Sequence, residues 1–135
     1  MAIIDTFELC LKGPYLFADP EAPARVAMLL EFAEDRVLLC DSILVRGTTD
    51  LDGVNQYGYE AMLACIRALV YSRGYREAGL RCLMLACEKL RVETGELDPG
   101  FMRSFELVQG RRTRPEEARD AATALLRRVR EILTT

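Results

Sequence analysis

Residues Asn55–Leu90 read NQYGYEAMLACIRALVYSRGYREAGLRCLMLACEKL, and the organisation of the whole chain follows from them. With Val54 just before, Tyr57, Ala61, Cys65, Ile66, Leu69 and Val70 recur at helical spacing. This predicts a helix running to about Ser72 with one face turned inward. Gly74 interrupts the pattern within SRGYRE, and the same period resumes over Ala78–Val92 through Leu80, Leu83, Met84, Cys87 and Leu90. Two apolar helical runs on either side of a glycine turn predict an antiparallel helix pair.

Working towards the N-terminus, Val26, Leu29, Leu30, Ala33, Val37, Cys40 and Leu44 give another helical stripe over residues 21–45, with Asp19-Pro20 as its cap and first turn. RGTTDLDG (residues 46–53) is a loop, with Asp50 or Asp52 capping the helix that follows. Towards the C-terminus, Gly95 stops the second helix of the pair. Asp98-Pro99 opens a short helix carrying Phe101, Phe105 and Leu107, which Gly110 ends. Thr113 and Glu116 have capping-box spacing ahead of a last helix that turns Ala118, Ala121, Ala122, Leu125, Val129 and Ile132 inward. Residues 3–12 suit a strand or a helix, and a short helix is the better reading. No pair of strands is expected. The expected class is therefore all-α, a four- to five-helix up-and-down bundle over residues 21–135 preceded by an N-terminal arm or short helix over 1–20.

At 135 residues, half apolar and 29% charged, the chain fits one domain with a core of its own. No apolar run approaches the roughly 18 residues of a membrane span. The start MAIIDTFELCLKG meets Asp5 and Glu8 before Lys12, unlike a secretory signal, so a cytoplasmic location is expected. Cys10, Cys40, Cys65, Cys82 and Cys87 are an odd set without C-x-x-C, and are expected to be reduced thiols in the core. Histidine is absent, which excludes histidine general bases, His-based triads and imidazole-ligated metals. Charge divides unevenly: residues 1–70 carry 11 acidic and 5 basic side chains, and residues 71–135 carry 10 and 13. The halves then face each other or different partners.

Three constellations could carry chemistry. Glu31, Glu34 and Asp35 lie on adjacent helical turns and could hold magnesium, as in all-α nucleotide pyrophosphohydrolases, but the second acidic motif is missing because Leu63 follows Glu60 at the matching offset. A solvated face is the simpler reading, and no cofactor or metal is expected. Cys82 and Cys87, five apart, point to different sides of a helix and cannot clamp one ion. Arg111, Arg112 and Arg114 cluster before the last helix, where guanidinium charge and free backbone N–H groups both attract phosphate. Broad nucleic-acid binding does not fit a pI of about 5.1, so only this local patch could bind one.

Asn55–Leu90, followed by a short helix, QGRRTRPEEA and a closing amphipathic helix, resembles the HEPN superfamily of small helical bundles over about residues 22–133. Tyr57, Tyr59, Ala61, Ala68, Gly74, Tyr75 and Arg76 match the long tyrosine- and alanine-rich helix and glycine turn of that family. The resemblance implies a homodimer in a toxin–antitoxin or defence setting, with a nucleotidyltransferase-like protein or RNA as partner. The family's ribonuclease motif pairs an arginine, here Arg111 or Arg112, with a histidine four to six residues on. This chain has Pro115–Ala118 in that window. The expected function is accordingly a non-catalytic dimer that binds RNA, a nucleotide or a protein partner, with Arg111, Arg112 and Arg114 lining a cleft for phosphate or an acidic partner. The alternatives are the magnesium-dependent hydrolase and a structural subunit of a larger complex.

Overall fold

Eleven of the 21 residues of the helix Leu51–Tyr71 are buried, from Val54 to Tyr71, and the other elements are arranged around it. The structure, a computed structural model, describes residues 4–47 and 51–134. In chain order these form α1 (Phe7–Lys12), β1 (Leu16–Ala18), a 3-10 turn (Ala22–Arg25), α2 (Val26–Arg46), α3 (Leu51–Tyr71), β2 (Tyr75–Glu77), α4 (Leu80–Cys87), a π turn (Glu88–Val92), α5 (Pro99–Gln109) and α6 (Pro115–Leu133). The class is all-α, as the periodicity requires. α3 packs along α2 and α6 and also meets α4 and α5. Ala61, Met62, Cys65, Ile66, Leu69, Leu83, Phe105, Leu125 and Val129 are sealed in the common core. No helix among the described residues is long and apolar enough to cross a membrane.

α3 and α6 approach closely at Gly58, where a Cβ would lie 3.1 Å from the carbonyl oxygen of Ala118. Backbone cannot yield as a flexible side chain does, so a branched residue at 58 wedges the helices apart. Gly58→Val is expected to cost about 1–3 kcal/mol in a chemical denaturation curve. An unchanged midpoint would mean that the helices separate freely there.

Several helix ends differ from the sequence reading. The Asp19 carboxylate accepts the Glu21 N–H at 2.9 Å just ahead of the 3-10 turn and does not cap α2, which starts at Val26 without a side-chain cap. Asp50 lies outside the described residues, while Asp52 sits in the first turn of α3. Asp98 caps α5 as expected, accepting the Gly100 N–H at 2.7 Å. The last helix starts one residue later than Thr113 suggested. Glu117, not Glu116, reaches back to the Arg114 N–H at 2.8 Å, and the Thr113 hydroxyl instead meets the Asn55 amide oxygen at 3.3 Å.

Two corrections concern the N-terminal segment. β1 and β2 form an antiparallel pair with Phe17 opposite Arg76, contrary to the expectation of no paired strands. Both are three residues long and separated by the whole α2–α3 hairpin, so no local turn signal announces them. Gly74, at φ +84°, makes the reversal that sends the chain into β2, and its carbonyl accepts the Asp19 N–H at 2.7 Å. The second correction is a disulfide between Cys10 and Cys82, where five reduced thiols were expected. Cys10 faces inward from α1 and Cys82 lies in the first turn of α4, so their proximity is set by docking rather than by spacing. Cys40, Cys65 and Cys87 are buried thiols, and burial pushes Cys65 and Cys87 up to about 12.

Candidate binding surfaces

Gly110 ends α5, and Arg111 follows in the left-handed region at φ +55°, unusual for a residue with a Cβ. The Arg111 and Arg112 N–H groups return to the carbonyls of Val108 and Leu107 at 3.0 and 2.9 Å, closing a tight turn. This brings Arg111, Arg112 and Arg114 together on one exposed turn. Their charge is partly engaged there. Arg111 reaches Asp52 at 3.7 Å and the Gln56 side-chain oxygen at 3.4 Å, at the start of α3. Arg114 lies 3.4 Å from Glu117. The bond from the Arg114 N–H, together with that guanidinium, holds the Glu117 carboxyl below its usual range. A carboxylate therefore already sits at the α6 N-terminus, where a phosphate would bind.

The acidic trio on α2 is exposed but not gathered around a centre. Glu34 pairs with Arg130 of α6 at 2.7 Å, while Glu31 and Asp35 have no ion pair among the described residues. No group of three or more cysteine, aspartate or glutamate side chains is placed to hold a metal among those residues. The Glu34–Arg130 contact belongs to a wider pattern. Arg76 pairs with Asp19 at 3.2 Å and Arg119 with Asp41 at 3.0 Å, so the basic second half partly faces the acidic first half. These partly exposed pairs contribute little individually, about 0–1 kcal/mol each; Glu34–Arg130 and Arg119–Asp41 join α2 to α6.

Of the residues that carried the HEPN resemblance, two lie in the core and two tyrosines pack against it. Ala61 and Ala68 are fully buried, Tyr59 stacks on Phe105 with centroids 5.5 Å apart, and Tyr75 meets Phe7 edge-on at 5.4 Å. Arg76 lies over Phe17 as well as against Asp19. Tyr57 flanks Arg36, which also covers the Phe32 ring at 4.2 Å and pairs with Glu60 at 3.1 Å. Comparison with family models, curated proteins and solved structures finds no match to this chain.

Two surfaces escaped the sequence reading. The first is the outer side of α2, where Met28, Phe32, Leu38, Leu39 and Val45 are exposed, Val45 to 86%. They are five of the ten large apolar side chains exposed among the described residues, so the apolar surface is concentrated on one helix. Apolar residues at 28, 32 and 39 could have signalled this second stripe, but periodicity alone does not say which stripe faces the core. The second is a groove of about 490 Å³ between α1, the end of α4 and α5. It depends on where α1 docks, which no local pattern specifies.

Proposed function

We propose that the chain is a non-catalytic, HEPN-like helical-bundle homodimer that works as a binding module for a protein partner. The observation that carries this is the concentration of exposed apolar side chains on α2, a helix 21 residues and about 30 Å long. At 100° per residue, Phe32 and Leu39 fall on one side of a line that holds Asp35, Arg46 and Met28, while Leu38 and Val45 fall on the other. Neither Asp35 nor Arg46 has an ion pair among the described residues, and their charges are opposite. Two α2 helices crossing antiparallel near Cys40 would set Asp35 of each copy against Arg46 of the other, as a twofold interface requires. The arginine turn supports an RNA or nucleotide ligand less strongly, because Glu117 and Asp52 already draw on its charge.

Light scattering across a dilution series tests the dimer. The expected mass is twice that of the 15.2 kDa chain, with Leu39→Glu weakening association by about tenfold or more. Arg46→Asp should weaken it too, and Asp35→Arg/Arg46→Asp should restore it. A monomer at every concentration would sink the reading. In the same preparation, a labelled single-stranded RNA retained by the wild type and lost by Arg111→Ala/Arg112→Ala would move the partner class from protein to RNA.

A further inference from the structure

The groove between α1, α4 and α5 has an apolar floor and an acidic rim. Phe7, Leu85, Val92 and Met102 supply apolar lining. Asp5, Glu8, Glu88, Glu93 and Glu106 surround them, against two cations, Lys89 and Arg103. Lys89 is shared at 3.8 Å with Glu8 and at 3.7 Å with Glu93. Asp5, Glu88 and Glu106 have no ion pair among the described residues. A groove of this kind attracts a segment that brings its own positive charge and has apolar side chains to bury.

Two features suit the groove to a ligand. One wall is the π turn Glu88–Val92, closed by the Glu93 N–H on the Glu88 carbonyl at 2.9 Å, and an i→i+5 turn of this type commonly marks a functional surface. Glu88, Lys89, Val92 and Glu93 all belong to it or border it, and all line the groove. A second wall is α1, joined to α4 through Cys10 and Cys82, with Cys10 three residues after Phe7 and Cys82 three before Leu85. The crosslink holds α1 against α4, so a ligand need not bear the cost of ordering that wall.

We propose that this groove docks a cationic amphipathic segment of a partner protein, with its apolar face on the floor and its Lys or Arg side chains on the acidic rim. The proposal names the partner chemistry for the binding-module reading and rests on that reading. Because it concerns a different surface from α2, the dimer and the groove can fail separately.

Fluorescence anisotropy with two short labelled helical peptides tests it: one with leucine on one face and arginine on the other, and its counterpart with glutamate for every arginine. The arginine peptide should bind at least about tenfold more tightly than the glutamate peptide. Glu88→Lys/Glu106→Lys should weaken that binding about tenfold or more. Glu21→Lys/Glu116→Lys makes the same change in net charge at exposed positions away from the groove and should leave affinity within about twofold. Equal losses in the two double variants would overturn the proposal in favour of bulk charge attraction. So would failure of the arginine peptide to bind the wild type, or equal affinity for the two peptides.

Discussion

Cys10→Ala/Cys82→Ala is expected to lower the stability of the oxidised protein by about 4 kcal/mol, equivalent to a fall of about 12 °C in Tm. The size follows from the 72-residue separation of the bridged cysteines, because a crosslink that closes a long loop removes much of the freedom of the unfolded chain. α1 depends on the bond most directly. It is six residues long, too short to persist as an isolated helix. Otherwise it is held chiefly by Phe7 on Tyr75 and by the Arg81 guanidinium donating to the Ile4 carbonyl at 2.6 Å. A thiol reductant should bring the wild type down towards the double variant and leave the variant unchanged. Titration in denaturant without reductant should find three thiols, from Cys40, Cys65 and Cys87. Five thiols, or a melting curve indifferent to reductant, would show that the bond does not form.

That bond marks where sequence reasoning stopped. Cys40, Cys65 and Cys87 lie on helical stripes whose period is visible in the chain, and their burial could be read from it. Cys10 lies in a segment whose alternation suited a strand as well as a helix, and its partner is set by how that segment docks. The β1–β2 pair was hidden for the same reason. Gly74 breaks the helical period, but that its carbonyl accepts the Asp19 N–H where a strand begins is a long-range fact. Helices α2 to α6 were legible because each repeats an apolar residue every three or four positions, and Asp98, Gly95 and Gly110 are local punctuation. The Thr113 cap failed because the chain turns into the helix one residue later, at Arg114, whose N–H Glu117 accepts, while Thr113 donates to Asn55, 58 residues away.

The candidate surfaces were less legible than the fold. Sequence proximity correctly placed Arg111, Arg112 and Arg114 on one turn, yet it could not show that Asp52, Gln56 and Glu117 would draw on their charge. Glu31, Glu34 and Asp35 looked like one cluster because they are close in the chain, but Glu34 faces Arg130, 96 residues later. On α2 the period marks the stripe through Ala33, Val37 and Cys40 as buried, which it is. The neighbouring stripe of Met28, Phe32 and Leu39 is exposed in the single chain, so a functional question remained after the fold question had been answered.

Arg91→Met is expected to cost about 3 kcal/mol or more, seen as a lower urea midpoint with an unchanged slope. Arg91 is 5% exposed, the only charged residue buried to this degree among the described residues. Each of its three guanidinium nitrogens donates a hydrogen bond. They donate to the Leu69 carbonyl at 3.3 Å, the Ser72 hydroxyl at 2.7 Å and Glu96 at 2.7 Å, tying the end of α3 to the loop after the π turn. Methionine fills similar space but leaves the Leu69 carbonyl without this donor and Glu96 with only Arg73 and Thr94. Arg91→Lys should recover only part of the loss, because an ammonium cannot present the guanidinium fork to three acceptors. Burial alone would raise the Glu96 pKa, but hydrogen bonds from Thr94 and Arg91 and the charges of Arg91 and Arg73 outweigh it and hold the pKa below the ordinary 4.5. A lowered folded-state pKa stabilises the protein above the unfolded value, and that stabilisation is lost as pH falls through the folded one. The wild type should therefore lose stability below about pH 4.5 more steeply than Arg91→Met, in which the main partner of Glu96 is already gone. Parallel pH profiles would show that Glu96 draws its stabilisation from Arg73 and Thr94 instead.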